Sequence, residues 1–565
     1  MKIDQKPNPD IINKAKQILS EHFDSQIEID SIAFLSDPER RNIVLRLGLV
    51  HSSKTIPKTV ILKQSLPEKE NDQEAYARFA RDWAGLEFAS KIPQRTHNTP
   101  LFYGGEKKHR FILMEDLGVK HVSLVDSLTL PNRDKAIRAL SRFMKALGSF
   151  HAAGAGHTEL YETILRQIHK DNDSQTDDLA HVLNDLINRL KSAHQTLNLS
   201  LSNECIHEAQ NLVESILSPG PFTVLTHGDI CPDNVFDHEE NYELQLIDFE
   251  WSIVGNALLD GTYLRMSMPT CWCAKAIPKE VIESLELIYR EEISRTILEA
   301  RDDAIYQKAY TEACGFWILQ QTLHFIDLSL ENDRVGPSGP VPENSLWKFE
   351  ENWVRPRVLS RLQAFIEVAT SHGLLPHLTN MAKTVLDELQ KRWPDAKPLE
   401  FYPAFQSPKF YIRAYKLGDE AEIYQLFYDT VHHINCKDYT EEQLDTWAPR
   451  NPDLSSWANS LSKNHSFVAI HAESNRIIGF ADLEENGCLN RGYVHKDYQE
   501  QGIGKALLLA RENRARELGI KELFSEVSIT AKPFFEKCGY ITIKEQTKVL
   551  NGISFINYCM VKDLI

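Results

Sequence analysis

Three polar side chains near the middle of the chain have the types and spacing that phosphoryl transfer requires. Asp229 and Asn234 lie in the stretch THGDICPDNVF, and Asp248 follows in LIDFE, directly after a short apolar run. Transfer of a γ-phosphoryl group needs a carboxylate to accept a hydroxyl proton, a metal to neutralise the phosphates and a cation to orient the nucleotide. Mg²⁺ prefers hard oxygen ligands and keeps several waters, so one Asn and one Asp suffice from the protein. The stretch therefore predicts Asp229 as a base and Asn234 and Asp248 as magnesium ligands.

Short strands must position these side chains and the cation. The strand-like runs are NIVLRL, TVILK, which ends at Lys63, and FILME, and an amphipathic helix is expected over residues 74–92. From about residue 135 the pattern is mostly helical, with strands returning around Asp229. A kinase sheet carries its ATP lysine on a strand of this kind. The sequence thus predicts a small sheet with one helix, followed by a larger helical part.

The motifs HGD at residues 227–229 and IDF at residues 247–249 resemble those of the aminoglycoside phosphotransferase and choline kinase group. The interval of five residues from Asp229 to Asn234 also matches a kinase catalytic loop. The resemblance covers about residues 30–392 and implies a two-lobed, protein-kinase-like α+β domain that uses ATP and Mg²⁺. It implies the same roles for Asp229, Asn234 and Asp248 as the chemistry does.

The resemblance also assigns a nucleotide site and a structural aspartate. The hinge strand, which holds adenine through its backbone, falls on residues 114–116, with Met114 and Asp116 as ATP-binding residues next to Lys63. Asp260, in GNALLDG, corresponds to the family aspartate that holds the catalytic loop in place. We therefore expect Asp260 to support the site without taking part in the chemistry.

Two features depart from the family pattern. No G-x-G-x-x-G motif covers the phosphates, and SDPERRN at residues 36–42 stands in that place. The family pairs its lysine with a Glu, whereas the best-placed acid here is Asp82, with Glu74 and Glu87 as alternatives. Two interpretations compete with an active kinase. In the first, HGD is only a turn and Asp248 caps a helix. In the second, the protein binds nucleotide without turnover.

A second motif, QEQGIGKALL, has the features of an anion-binding loop. Gly502 and Gly504 allow a close approach of the backbone to a ligand, and a helix follows directly. The free N–H groups and the positive dipole end of such a helix suit a pyrophosphate. The strand CLNRGYVH precedes the loop, which completes the strand, turn and helix context.

This motif resembles the acetyl-coenzyme A signature of GNAT acetyltransferases, over about residues 409–565. The resemblance implies an α/β domain with a central mixed sheet and acetyl-CoA as cofactor. The backbone near Tyr493 and Val494 would bind the pantetheine arm. The signature starts at Gln499, and the amides that would hold the pyrophosphate belong to Gln501, Gly502, Ile503, Gly504, Lys505 and Ala506.

The acid and base of acetyl transfer are less evident in the sequence. The family acid is commonly a Tyr, where this chain has Phe535 in PFFEKCGY, and Tyr540 fits a structural aromatic position. Glu484 is the first candidate for the base, together with its neighbour Glu485. The pair at His432 and His433 is a weaker candidate, because such pairs on amphipathic helices are more often structural.

Composition sets the general class of the protein. A length of 565 residues favours more than one domain, and we place them at residues 1–400 and 409–565, on either side of a proline-rich segment. The net charge of −17 argues against nucleic-acid binding, and no apolar run is long enough for a membrane span or a signal peptide. Nine scattered cysteines predict reduced thiols in a cytoplasmic protein. Cys271 and Cys273 are interpreted as a packed pair, since a zinc site would need further ligands.

Together these motifs predict a bifunctional enzyme acting on small molecules. ATP and Mg²⁺ would serve phosphoryl transfer to a hydroxyl, and acetyl-CoA would serve acetyl transfer to an amine. The substrate could be an aminoglycoside-like antibiotic or an endogenous metabolite, and the oligomeric state is left open. The alternatives are a kinase regulated by a non-catalytic, acetyl-CoA-sensing GNAT domain, and a scaffold built from two ligand-binding modules.

Overall fold

The computed structural model describes residues 8–36, 41–68, 72–93, 95–169, 178–239, 243–334, 353–406 and 409–564. The chain divides into two compact units, Met1–Gln406 and Ser407–Ile565. Residues 37–40, which form most of the segment expected over the phosphates, lie outside the described residues. None of the helices in the described ranges combines the length and the apolarity needed to cross a bilayer.

A five-stranded antiparallel sheet opens the first unit. Its strands are Glu28–Phe34 (β1), Asn42–Val50 (β2), Thr59–Ser65 (β3), Phe102–Glu106 (β4) and Phe111–Glu115 (β5), in the order β1-β2-β3-β5-β4. Apolar side chains of β2 and β3, such as Leu47 and Leu62, share a buried cluster with helix α1 (Pro9–His22). Helix α2 (Asp72–Lys91) follows β3, close to the predicted range. Lys63 lies within β3, opposite Val44, and the strand continues for two residues beyond it.

The remainder of the first unit is mainly helical, as the sequence predicted. Its helices are Leu124–Thr129 (α3), Arg133–Gly154 (α4), Thr158–Ile168 (α5), Asp178–Leu197 (α6), Asn203–Leu217 (α7), Ala257–Gly261 (α8), Lys279–Ile293 (α9), Asp303–Trp317 (α10), Leu323–Ser329 (α11), Val354–His372 (α12) and Pro376–Arg392 (α13). One continuous apolar core runs through these helices. The kinase-like two-lobed arrangement itself stays a prediction.

Two short antiparallel strand pairs position the predicted catalytic residues. Thr223–Thr226 (β6) pairs with Ile253–Asn256 (β9), and Val235–His238 (β7) pairs with Glu243–Leu246 (β8). The loop between β6 and β7 contains Asp229 and Asn234, and the loop between β8 and β9 contains Asp248. The β6–β9 pair holds the start of the first loop beside the end of the second, and the β7–β8 pair holds the end of the first beside the start of the second. The two loops therefore lie next to each other.

The second unit contains two antiparallel sheets. The first has the order β10-β11-β12-β13, with strands Phe410–Ala414 (β10), His465–His471 (β11), Ile477–Leu483 (β12) and Gly492–Val494 (β13). The second has the order β14-β16-β15, with strands Glu522–Ser528 (β14), Ile541–Leu550 (β15) and Ile553–Asp563 (β16). The helices are Glu420–Ile434 (α14), Glu441–Trp447 (α15), Leu454–Lys463 (α16), Ile503–Glu517 (α17) and Lys532–Lys537 (α18).

The predicted central mixed sheet needs a correction. All strand pairs of this unit are antiparallel, and the parallel pairing found among its described residues is a single bridge between Cys488 and Phe524. The reason is that β14 pairs with β16 and diverges from β13 beyond this bridge. Strand β13 is therefore the edge of its sheet, with backbone groups directed outward.

Candidate active sites

Lys63 is the centre of a buried cluster of charges. Its Nζ lies 2.7 Å from Asp82 Oδ2, 2.9 Å from Asp248 Oδ1 and 3.2 Å from Glu250 Oε1. These groups come from β3, α2 and the loop after β8. The cluster therefore joins the small sheet to the loop that carries one of the two predicted metal ligands.

The acid that pairs with Lys63 is Asp82. Its second oxygen accepts a hydrogen bond from the backbone N–H of Phe249 at 2.8 Å, so Asp82 holds both the lysine and the chain next to Asp248. The alternatives left open by the sequence, Glu74 and Glu87, contact side chains of α2 instead.

Electrostatics keep Lys63 positively charged. Burial opposes its charge, but the carboxylates of Asp248, Asp82 and Glu250 raise the pKa of Lys63 well above its ordinary value. Burial raises the pKa of Asp82, and Lys63 opposes that shift. Burial also acts to raise the pKa of Glu250, but Lys63 and Arg41 outweigh it and lower the value to about 2. Lys63 thus stays positively charged and fixed in position, which suits it to orienting phosphates.

Glu250 is a member of the cluster that sequence reasoning missed. It accepts hydrogen bonds from Arg41 at 2.9 Å and Asn42 at 2.5 Å, both at the end of the segment that was predicted to cover the phosphates. Its position two residues after Asp248 was the available signal. Glu250 therefore links the start of β2 to the loop after β8.

Asp229 lies in a loop whose conformation is fixed by side chains. Asn234 Nδ2 donates to the backbone oxygen of Asp229 at 2.8 Å, and Thr270 Oγ1 donates to Asp229 Oδ1 at 2.7 Å. Cys231 Sγ donates to the same carboxylate oxygen at 3.2 Å. The carboxylate is thus held by two donors at Oδ1, and Asn234 Nδ2 lies 3.4 Å from Oδ2, the oxygen that can accept a proton.

Asp260 holds the backbone just before Asp229. Its carboxylate accepts from the N–H of His227 at 2.6 Å and from that of Gly228 at 3.3 Å, as the resemblance implied. Gly228 has a φ of +78°, and a Cβ there would lie 2.1 Å from the backbone oxygen of Trp251. Only glycine fits this close approach of two loops.

The side chains of Asn234 and Asp248 fit a magnesium ion by donor type. Because Asn234 donates with its amide nitrogen, its oxygen is available, and Asp248 uses one oxygen for Lys63 and exposes about a third of its side chain. Asp248 has a φ of +69°, a conformation that non-glycine residues adopt rarely and mostly where function or packing requires it. The N–H of Ile247 donates to the backbone oxygen of Asn234 at 3.0 Å, which places the two segments side by side. Amide and carboxylate oxygens are the ligands that Mg²⁺ prefers.

The predicted hinge lies at the end of β5. Met114 pairs with Ile61 on β3 and with Phe102 on β4, so its backbone is part of the sheet. The carboxylate of Asp116 binds Arg46 through two hydrogen bonds of 2.6 and 2.9 Å, so its side chain is structural. An adenine contact at Asp116 would therefore involve its backbone, as predicted.

In the second unit, the start of α17 presents unpaired N–H groups. The first bond into this helix runs from the N–H of Ala506 to the oxygen of Gly502, so the amides of the three residues between them have no partner within the helix. Gly502 has a φ of +82°, and no side chain caps the helix. The predicted amides of Ile503, Gly504 and Lys505 thus converge at a helix N-terminus, which is an anion-binding geometry. The prediction for Ala506 is wrong, because its N–H is used within the helix.

Gln499 does not extend toward a ligand. Its Nε2 donates to the backbone oxygen of Val494 at 2.5 Å and to that of His495 at 3.2 Å, and Thr430 Oγ1 also donates to Val494 at 3.0 Å. Gln499 therefore connects the loop to β13 and fixes the conformation of the loop.

The register of β13 separates the two residues predicted for the pantetheine arm. Bonds from Asp482 N to Arg491 O and from His495 N to Ile478 O fix the alternation of the antiparallel ladder. By this alternation the backbone of Tyr493 faces β12, whereas the N–H groups of Val494 and Gly492 face the open edge. Tyr493 instead stacks its ring on Phe480 at 5.6 Å. Gly492, which the sequence did not suggest, therefore replaces Tyr493 as a candidate for binding the pantetheine arm.

Comparisons with known proteins separate the two units. Residues 435–562 match the family model described as acetyltransferase (GNAT) domain, and residues 54–296 match that of the ecdysteroid kinase-like family. The uncharacterized N-acetyltransferase YafP of Escherichia coli (strain K12) is 32% identical over 150 residues, which are 26% of this chain and 93% of that protein. Through its second unit, the chain belongs to the GNAT acetyltransferase family.

Solved structures of GNAT proteins also match the second unit. A GCN5-related N-acetyltransferase from Rhodopseudomonas palustris is 29% identical, with 28% of this chain and 98% of that chain covered and a TM-score of 0.27. The PaiA N-acetyltransferase of Thermoplasma acidophilum, in complex with coenzyme A, is 20% identical, with 27% of this chain and 98% of that chain covered and a TM-score of 0.23.

The first unit matches a kinase-like family, and the matched range includes Lys63, Asp229 and Asp248.

The GNAT unit does not bring its predicted base to the open edge of β13. Glu484 lies in a tight turn closed by hydrogen bonds with Cys488 and Gly487, of 2.9 and 3.0 Å. The bridge from Cys488 to Phe524 lies between this turn and Gly492, so Glu484 is on the closed side of the divergence between β13 and β14. The sequence could not show this, because the turn and the bridge depend on pairing with a distant strand.

The remaining GNAT candidates have structural roles. Phe535 is buried and packs edge-to-face on Tyr540 at 5.0 Å, and Tyr540 donates to Glu512 at 3.2 Å. His432 and His433 hold the backbone oxygens of residues 448 and 429 at 3.0 and 2.8 Å. The GNAT unit thus has a built cofactor loop, whereas its sequence-predicted acid and base positions carry no catalytic geometry.

Proposed function

We propose that the chain is a bifunctional enzyme that modifies small molecules. Its first unit would transfer a phosphoryl group from ATP to a hydroxyl, and its second would transfer an acetyl group from acetyl-CoA to an amine. The observation that carries the first activity is the contact of Lys63 with both Asp82 and Asp248. The kinase-like and GNAT family matches support the two reaction types. A metabolite or aminoglycoside-like compound with a hydroxyl and an amine would suit both units.

In the first reaction each residue has a separate task. Asp229 accepts the proton of the attacking hydroxyl, and Thr270 orients its carboxylate. Lys63, held by Asp82, orients the nucleotide phosphates, while Asn234 and Asp248 would hold Mg²⁺. When bound, Mg²⁺ supplies the charge that offsets the phosphate oxygens.

In the second reaction the backbone carries the cofactor. The amides at the start of α17 bind the pyrophosphate, with Gly502 in a left-handed conformation that directs them outward. The N–H groups of Val494 and Gly492 extend the sheet edge toward the pantetheine arm. In direct attack the amine forms a C–N bond with the acetyl carbon, the C–S bond breaks and the coenzyme A thiolate leaves. Water can accept the proton of the attacking amine and return a proton to the thiolate.

A polar metabolite extract and an aminoglycoside panel test both activities. The full chain is supplied with MgATP, with acetyl-CoA or with both, and products are followed by mass spectrometry. We expect a phosphorylated product that requires Asp229 and an acetylated product that requires Gly502. Asp229→Asn serves as the inactive form, and Glu243→Gln, an exposed acid on β8, as the matched control. A phosphorylated product that persists in Asp229→Asn would contradict the first assignment.

A second candidate is a kinase regulated by an acetyl-CoA-sensing GNAT unit. The burial of Phe535, in place of a hydroxyl, and the remote position of Glu484 favour it. Under this candidate acetyl-CoA changes the phosphoryl-transfer rate without being consumed. The same assay distinguishes the two candidates, because it records acetylated product and free coenzyme A together.

A further inference from the structure

Three cysteines and one aspartate meet where the loop that contains Asp229 packs against the segment around Cys271. Cys231, Cys271 and Cys273 are buried, with at most 5% of their surface exposed. The ligand atoms of Cys231, Asp233 and Cys271 all lie within 4.8 Å of one another, and Cys273 Sγ lies 2.8 Å from Cys271 Sγ. The sequence suggested a packed pair because further ligands were missing, and the fold supplies Cys231 and Asp233 from 40 residues upstream.

Neighbouring side chains hold the two segments together. Trp272, between the two cysteines, donates from Nε1 to Asp233 Oδ2 at 2.9 Å. The hydroxyl of Tyr263 lies 3.1 Å from Cys231 Sγ and 2.7 Å from Thr270 Oγ1. Buried Arg357 donates to the backbone oxygens of Cys271 and Trp272, each at 2.8 Å. The cluster is therefore fixed from both segments and from α12.

We propose that Cys231, Cys271, Cys273 and Asp233 form a binding site for a thiophilic divalent cation, with Zn²⁺ as the best fit. Cysteine thiolates and carboxylates are both zinc ligands, and the thiolates discriminate against Mg²⁺. Zn–S bonds of about 2.3 Å place sulfurs roughly 3.7 Å apart in a tetrahedron. The ligand atoms of Cys231, Asp233 and Cys271, all within 4.8 Å of one another, are compatible with this spacing. The sulfurs of Cys271 and Cys273, 2.8 Å apart, would have to separate by about 1 Å.

Charge balance supports a cation with anionic ligands at this place. Metal binding requires the cysteines as thiolates, so a divalent cation would release their protons on binding. The guanidinium of Arg357 then lies next to ligands whose total negative charge exceeds that of the ion.

Metal binding would also affect Asp229, a consequence that rests on the proposed function. Cys231 Sγ donates to Asp229 Oδ1 at 3.2 Å, and a metal-bound thiolate has no proton to donate. Asp229 Oδ1 would then keep the bond from Thr270, and Oδ2 would keep its 3.4 Å bond from Asn234. We expect slower phosphoryl transfer when the site is filled.

Cobalt and zinc titrations of the full chain test the site itself. The protein is purified with a non-thiol reductant, freed of metal by a chelator and titrated with Co²⁺, whose thiolate charge-transfer absorption reports sulfur ligands. Zn²⁺ affinity follows from competition with a chromogenic chelator. We expect one equivalent of metal with thiolate absorption. Affinity should fall more than about 100-fold in Cys271→Ser and Cys231→Ser, since loss of a direct ligand exceeds the usual effect of losing its supporting groups.

Two further variants keep the result interpretable. Cys314→Ser alters an equally buried cysteine on α10 and should bind metal as the unmodified chain does. Asp233→Asn changes a more exposed ligand, so it tests the site without disturbing the core, and circular dichroism checks the fold of each variant. Binding without thiolate absorption, or equal affinity in Cys231→Ser and Cys314→Ser, would overturn the site. These readouts need no ATP, so they are independent of phosphoryl transfer.

Discussion

The two candidate sites are built from different parts of the chain. In the first unit charged side chains form the site, and Lys63, Asp82, Asp248 and Asp229 each have partners that fix their positions. In the second unit the backbone forms it, at the start of α17 and the edge of β13. Side chains define reactive groups, whereas backbone amides define a cofactor site that tolerates many side chains. The comparison predicts that point substitutions will damage the first site far more than the second.

The largest effect is expected for Asp229→Asn. Removal of the general base should slow phosphoryl transfer by about 10³-fold. Thr270 can still donate to the amide oxygen, so the loop should keep its conformation. Initial rates of ATP-dependent product formation measure the effect, and acetyl transfer by the same preparation serves as the internal control. A loss smaller than tenfold would mean that another group accepts the proton.

Lys63→Met should combine a kinetic and a stability effect. ATP turnover should fall about 100-fold, because one cation is lost at the phosphates. The substitution also leaves Asp82 and Glu250 buried near each other without their shared partner, at a cost of about 3–5 kcal/mol. Thermal unfolding and steady-state rates measure the two effects, with Lys58→Met, at an exposed lysine before β3, as the control. An unchanged unfolding temperature in Lys63→Met would show that Asp82 and Glu250 become protonated or hydrated when the lysine is absent.

Gly502→Ala is expected to weaken acetyl-CoA binding by about tenfold. A side chain at its φ of +82° is strained by about 1–2 kcal/mol, and relief of the strain would turn the amides away from the ligand. Gly519 is the matched control, because it lies just beyond the same helix with a φ of +73° and, like Gly502, has no atoms near an added Cβ. Calorimetric titration with coenzyme A compares the two variants. An equal loss of affinity in both variants would mean that general destabilisation of the unit, and not loss of the amide contacts, causes the effect.

The sequence predicted those parts of the sites that depend on short segments. Asp229, Asn234 and the Gly502 loop lie within motifs whose spacing limits their conformation. The partner of Lys63 depends on how α2 rotates against the sheet, and that rotation is set by tertiary packing. Sequence spacing therefore left three acids open for this role.

Contacts between distant segments were also beyond sequence reasoning. Glu250 joins the first site through Lys63 and also binds Arg41, more than two hundred residues earlier in the chain. Cys231 approaches Cys271 only because two loops pack together. In the GNAT unit the Cys488–Phe524 bridge decides on which side of the divergence Glu484 lies.

The smallest effect is expected for Glu484→Gln, and it tests the comparison most directly. The carboxylate lies in a turn on the closed side of the Cys488–Phe524 bridge, and Asn486 Nδ2 approaches it at 3.4 Å. Loss of its charge should therefore change acetyl transfer less than about threefold, whereas loss of a true general base lowers rates at least about 100-fold. The pH dependence of acetyl transfer, measured for Glu484→Gln and for the exposed neighbour Glu485→Gln, checks this expectation. A hundredfold loss confined to Glu484→Gln, with the acidic limb of the pH profile removed, would mean that side chains carry the second site as they do the first.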